Sequence, residues 1–130
     1  MFPPRREEVK TKFVSIEVVE GSHKDIYVNV FENNGNVSDP FTIPKDISNY
    51  SVKCGFIFVE DGVTLETGEQ TIIDGEIEDG AIKISITPEM TIGKDVGAID
   101  VRLIDDSGRP VSILIGDIRI IKTKTPQIFE

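Results

Sequence analysis

The sequence predicts an all-β domain built as a two-layer sandwich, and three runs of alternating residues predict it. Val52, Cys54, Phe56 and Phe58 alternate with Ser51, Lys53, Gly55 and Ile57. Ile82, Ile84 and Ile86 alternate with Ala81, Lys83, Ser85 and Thr87, and Ile99, Val101 and Leu103 alternate with Asp100, Arg102 and Ile104. Successive side chains of a strand point to opposite faces, so each run presses one apolar row toward a core. Almost nothing between Ser51 and Lys122 carries helical spacing.

Taken in order, residues 1–8 form an N-terminal arm, where Pro3 and Pro4 favour extended geometry and block an early helix. Residues 9–122 form the sandwich. Its first strand ends near Val19, with Val14, Ile16 and Val18 on one face, and Gly21-Ser22-His23 turns the chain. The next strand carries Ile26, Val28 and Val30 inward. Asn33-Asn34-Gly35-Asn36 is a turn, because Asn and Gly tolerate positive φ. The proline-bounded piece at residues 39–44 belongs at an edge or in a loop, since Pro cannot donate to a ladder.

Tyr50 leads into the strand at residues 51–59, and Glu60-Asp61-Gly62 turns it into Val63-Thr64-Leu65 as a hairpin. Thr71-Ile72-Ile73 and an acidic loop at residues 74–79 follow. Gly80 opens the strand ending at Thr87, and Pro88 starts a corner with room for one helical turn. After residues 99–105, Asp106-Ser107-Gly108 turns the chain into a last strand at residues 111–121. There Ile113 and Ile115 are odd while Ile118 and Ile120 are even, which predicts a β-bulge near Gly116. Residues 123–130 form a C-terminal tail. The expected total is about seven to nine strands at ~8–12-residue spacing, the pattern of an immunoglobulin-like antiparallel β-sandwich.

Composition narrows the function. The 130 residues suit one domain, and an apolar share of 38% suffices for a core without disulfide or metal. A formal net charge of −9 argues against nucleic acid and against an anionic membrane surface as partners. The N-terminus lacks the apolar stretch of a secretory signal, and no run approaches the ~18 apolar residues that span a bilayer. The single cysteine, Cys54, sits on an apolar row and reads as a small buried hydrophobe.

No set of catalytic residues stands out. His23 is the one histidine, placed in a turn and read as a surface residue, so a triad or a multi-histidine metal site is hard to assemble. Asp74, Glu76, Glu78 and Asp79 lack the glycine and the ligand spacing of a calcium loop. Tyr27 and Phe31 share an odd-numbered face, a thin platform for a sugar ring. The expectation is a chain that is not an enzyme and uses no cofactor or metal.

The arm and tail are the partner-binding candidates. Phe2, Pro3, Pro4, Arg5 and Arg6 form a segment able to lie across a neighbour, and Ile128 and Phe129 fall past the last strand.

Residues 26–120, about three-quarters of the chain, resemble the N-terminal domain of tailed-phage baseplate upper proteins. The segments that carry the resemblance are Ile26-Tyr27-Val28-Asn29-Val30 before an Asn/Gly turn, Ile47-Ser48-Asn49-Tyr50-Ser51-Val52 entering a strand, Phe56-Ile57-Phe58-Val59-Glu60-Asp61-Gly62, Gly80-Ala81-Ile82-Lys83-Ile84-Ser85-Ile86-Thr87-Pro88-Glu89 closing in a proline corner, and Val96-Gly97-Ala98-Ile99-Asp100-Val101-Arg102-Leu103 with Ile115-Gly116-Asp117-Ile118-Arg119-Ile120. The resemblance implies an immunoglobulin-like sandwich linking a baseplate to receptor-binding parts, and it supplies no catalytic residues. Family members usually continue into helices and distal domains, whereas this chain ends at Glu130 without a heptad run, as a fragment or a stand-alone module would.

The sequence-level expectation is therefore a structural or attachment component of a phage particle or phage tail-like device, a baseplate or fibre-anchoring module made in the host cytoplasm. Its partners would be other virion structural subunits in a multimeric assembly, without nucleic acid or membrane, docked through the arm or by strand addition at an edge. The alternative is a carbohydrate-binding or adhesin-type immunoglobulin-like module.

Overall fold

Eight strands stack as a sheet of five and a sheet of three in the computed structural model, which describes residues 11–32 and 43–122. The larger sheet contains β1 (Lys12–Val19), β5 (Ser51–Val59), β6 (Gln70–Asp74), β9 (Val96–Ile104) and β10 (Pro110–Ile121), in the order β1-β10-β9-β5-β6. The smaller contains β2 (Lys24–Val28), β7 (Glu76–Glu78) and β8 (Ala81–Ile86), in the order β2-β8-β7. A two-residue pair, β3 (Phe31–Glu32) with β4 (Ile43–Pro44), lies outside both sheets. The one α-helical turn, α1 (Pro88–Thr91), forms at the proline corner, where Pro occupies the first turn and costs no hydrogen bond.

Alternation builds the core. Val52, Cys54 and Phe56 of β5, Ile99, Val101 and Leu103 of β9, and Ile82, Ile84 and Ile86 of β8 are all buried in one cluster with Val18, Val28 and Ile118. Phe58, at the end of its row, is half-buried and stacks on Phe56, ring centroids 5.8 Å apart. Val30 and Ile47 plug the core from outside the regular strands. Thr91 is fully buried and satisfied: its Oγ1 accepts from Gly21 N at 2.9 Å and donates to the Pro88 carbonyl.

Four sequence expectations are corrected. The larger sheet is mixed, because β1 pairs parallel with β10 from Lys12↔Leu114 to Val19↔Ile121. That pairing needs Gly116, where an added Cβ would lie 2.4 Å from the Val14 carbonyl oxygen. The bulge exists but lies at Ile113, where the β9–β10 register shifts between Ser112 and Leu114. Ile113 and Leu114 are both buried, so Ile115 points outward rather than into the core.

Val63-Thr64-Leu65 is not the returning strand of the hairpin. A 3₁₀ turn over Leu65–Thr67 comes first, and β6 then pairs with β5 from Ile57↔Gln70 to Lys53↔Asp74. The turn packs on the outer face of β5: Gly68 is so close that a Cβ there would meet Ile57 Cγ2 at 2.5 Å and Val59 Cγ1 at 2.7 Å. Burying Val59 this way is what a continued strand would forgo.

The acidic residues 74–79 are not a loop. Glu76–Glu78 form β7, hydrogen-bonded to β8 across the two-residue turn Asp79-Gly80. Both turn residues have positive φ, 52° and 79°, as a type I′ hairpin requires, and Asp-Gly is a preferred pair for it. Glu76 and Glu78 remain exposed, as expected of solvated carboxylates.

One end of the sandwich is tied by charge-assisted bonds. Glu20 Oε2 accepts from Gly93 N at 2.9 Å and from Lys122 Nζ at 2.6 Å. Asp95 Oδ2 accepts from Asp61 N at 2.7 Å, and its Oδ1 lies 3.4 Å from the same Lys122 ammonium. Three turns and the end of β10 thus converge on one cation.

Candidate functional site

The arm and tail candidates Phe2, Pro3, Pro4, Arg5, Arg6, Ile128 and Phe129 lie outside the described residues, as does the turn Asn33-Asn34-Gly35-Asn36. The site that the described residues do build is the outer face of the five-stranded sheet, a groove of about 560 Å³.

Strand register explains its shape. Following Cα partners across the sheet, Phe13 (β1), Ile115 (β10), Asp100 (β9), Gly55 (β5) and Ile72 (β6) fall in one row. Ser15, Asp117, Ala98, Ile57 and Gln70 form the next. Each row thus has one low position, a hydrogen at Gly55 and a methyl at Ala98, and the first row ends in the large apolar groups Phe13 and Ile72. Phe13 is 79% exposed and Ile72 63%. The Gln70 amide leans over Gly55, where an added Cβ would lie 2.9 Å from Gln70 Nε2.

Charged rows wall the groove along the strand direction. On one side Lys53 pairs with Asp74. On that side also, Arg102 donates twice to Asp100 Oδ2, from Nε at 3.0 Å and Nη2 at 2.8 Å. The Asp100 hydrogen bond holds the guanidinium's pKa above its ordinary value. Ser112 Oγ donates to the other Asp100 oxygen at 3.1 Å. On the opposite side Arg119 lies 3.6 Å from Glu17. Asp117 has no ion-pair partner among the described residues.

Other chemistry-bearing residues are engaged elsewhere. Ser85 Oγ donates to Asp25 Oδ1 at 2.7 Å, and His23 Nε2 lies 2.7 Å from that same oxygen. The carboxylate stands between hydroxyl and imidazole, so the Ser85 hydroxyl meets no imidazole and the order of a Ser-His-Asp relay is not formed at this cluster. The two bonds, Ser85's first, hold Asp25 below the usual carboxylate range.

Cys54 is fully buried. Burial, with a smaller contribution from the Asp74 charge, pushes its thiol up to about 11, which leaves it protonated and inert at neutral pH. Tyr27 is exposed, but the Phe31 ring is half-buried and the Lys12 ammonium sits 5.6 Å from its centroid. Among the described residues no group of three or more His, Cys, Asp or Glu side chains converges as metal ligands would.

Sequence reasoning missed the groove. The signal for half of it was present: Phe13 lies out of phase with Val14, Ile16 and Val18, so alternation alone turns it outward. The alignment of Phe13 with Ile115 and Gly55 depends on register between distant strands, which no local pattern carries. No known protein-family model and no curated protein matches this chain.

Proposed function

We propose that this chain is a structural or attachment module that works through protein–protein contact, and that the outer face of the five-stranded sheet makes the contact. The observation that carries the reading is the exposed apolar surface of the row: an aromatic ring 79% exposed at one end and an isoleucine 63% exposed at the other, with the low positions Gly55 and Ala98 between them. Exposed apolar surface gathered in a concave patch and rimmed by charge is the pattern of an interaction site. The sequence resemblance to tailed-phage baseplate upper proteins supports a phage particle or tail-like device as the setting of that contact, with other structural subunits as the partners.

The strand order supports the finer description of the sandwich as immunoglobulin-like. β2-β8-β7 facing β10-β9-β5 corresponds to strands B-E-D facing G-F-C, and β6 beside β5 takes the place of the extra strand C′. β1 departs from the constant-type order by pairing with β10.

A photo-reactive residue placed at Ile115, and separately at Lys83 on the other sheet, tests the reading in native assemblies. The expected result is a cross-link of discrete mass to another structural subunit from position 115 only, lost when Ala98→Arg blocks the groove. Equal cross-linking from both sheets, or none from position 115, would refute it.

A further inference from the structure

Resting on that reading of the face, we propose that the groove takes an extended segment of the partner protein carrying a basic residue between apolar ones. The basic group pairs with Asp117, and the apolar side chains sit at the two ends of the row.

Size comes first. The row crosses five strands, four spacings of ~4.8 Å, or roughly 19 Å. An extended chain at ~3.3 Å per residue covers that with about six residues. A free amino acid or a lone cation would leave most of it empty.

Shape comes next. Ala98 offers only a methyl, and the Gln70 amide that leans over Gly55 offers a hydrogen-bonding group to a backbone lying close to the sheet. Phe13 and Ile115 at one end of the groove, and Ile57 toward the other with Ile72 beyond its lining on β6, offer apolar contact to side chains several residues apart.

Charge selects the residue that lies over β10, one strand in from the Phe13 end. The two carboxylates of the groove are Asp100 and Asp117. Asp100 already accepts from Arg102 and Ser112. The neighbouring cations are likewise spoken for, Arg119 by Glu17 and Lys53 by Asp74. Among the described residues Asp117 is left without an ion-pair partner, a negative group beside apolar surface on a chain of net charge −9. A guanidinium docked there forms a charge-assisted, bidentate pair, and an acidic or phosphate-bearing partner is repelled.

The probe is a random twelve-residue peptide library on beads, selected against the full chain. The expected enrichment is Arg or Lys flanked by apolar residues. Asp117→Lys should reverse the preference to Asp or Glu and weaken the best wild-type peptide by at least about tenfold. Ala98→Arg should abolish binding, and both variants should melt like the wild type.

Enriched peptides without a basic residue, or an affinity indifferent to Asp117→Lys, would overturn the inference while the position-115 cross-link leaves the contact face standing. A cross-link without any enriched peptide would overturn the extended segment in favour of a folded surface. Loss of both would remove the contact reading and this inference together. Glycan-array binding abolished by Phe13→Ala would make the occupant a sugar and overturn it as well.

Discussion

Replacing Phe56 by alanine tests the sandwich at its centre. The side chain is fully buried, faces Ile99 across β9 and Thr71 across β6, and stacks on Phe58 at an interplanar angle of 11°. Removing a ring that buries ~150 Å² at ~25 cal/mol/Å² loses roughly 4 kcal/mol. That sits within the ~3–5 kcal/mol measured for Phe→Ala in cores, cavity included. With an m-value of about 2 kcal/mol/M, the urea midpoint drops by ~2 M at unchanged slope. Phe13→Ala is the internal control: the same chemistry on a ring 79% exposed costs no more than ~0.5 kcal/mol. If Phe56→Ala falls too close to the total stability to be measured, Phe56→Leu supplies a step of about 1 kcal/mol. A midpoint unmoved by Phe56→Ala, or moved equally by Phe13→Ala, would refute the burial argument for the whole inner face.

Gly116→Ala should destabilise by about 1–3 kcal/mol, because its Cβ would force β1 away from β10, and amide exchange should accelerate in β1 before the other strands. Acid should destabilise the fold. Glu20 is held below its ordinary 4.5 first by the Lys122 hydrogen bond, and Asp95 and Asp105 below 3.8 first by the Asp61 amide and the Ser107 hydroxyl. Groups with lowered folded pKa values contribute fully above their unfolded values and lose that contribution as pH falls through the folded ones, so the melting temperature should decline below about pH 4.5. The Glu20→Gln/Asp95→Asn variant should show a shallower decline than the wild type, and an equal slope would refute the assignment. Excess calcium followed by chelator should leave the melting temperature flat, and a rise of several degrees would mean a site bound in the native state. Deleting residues 1–8 should leave thermal stability nearly unchanged, since β1 begins at Lys12, while weakening incorporation into the assembly. Equal assembly by the truncated chain would remove Phe2, Arg5 and Arg6 from the contact.

What was legible in the sequence was whatever repeats locally. The inner rows of β5, β8 and β9 could be read because one buried face imposes a period of two over several residues. The helical turn at Pro88 and the tight turns carried their own residue chemistry. Burial supplied from elsewhere was not legible: Ile47 plugs the core from a loop, and Val59 is covered on the outer face by the 3₁₀ turn. Gly116 drew the expected bulge to itself because a glycine in a strand marks either a bulge or a close backbone approach. Here it marks the approach of β1, and the bulge falls on Ile113, which alternation alone cannot separate from Leu114.

The edges and the face of this sandwich invite different partners. Strand addition needs a free ladder, and two of the four edges of the main sheets, β7 and β1, are poorly suited to offer one. β7 is three residues long, with two glutamates pointing away from the core. Along β1, Lys24 Nζ donates to the Glu17 carbonyl at 2.8 Å. Short, charged or covered edges oppose unwanted pairing between chains. The outer face shows a different arrangement: Lys53–Asp74 and Arg119–Glu17 pair in the flanking rows, Asp100 is engaged by Arg102 and Ser112 within the groove, and apolar groups hold the ends of the Phe13 row. A partner docking there desolvates little unpaired charge except Asp117. On the proposed reading the sheet would separate adhesion from specificity, with Phe13, Ile115 and Ile72 supplying contact area and the Asp117 carboxylate selecting the sequence bound.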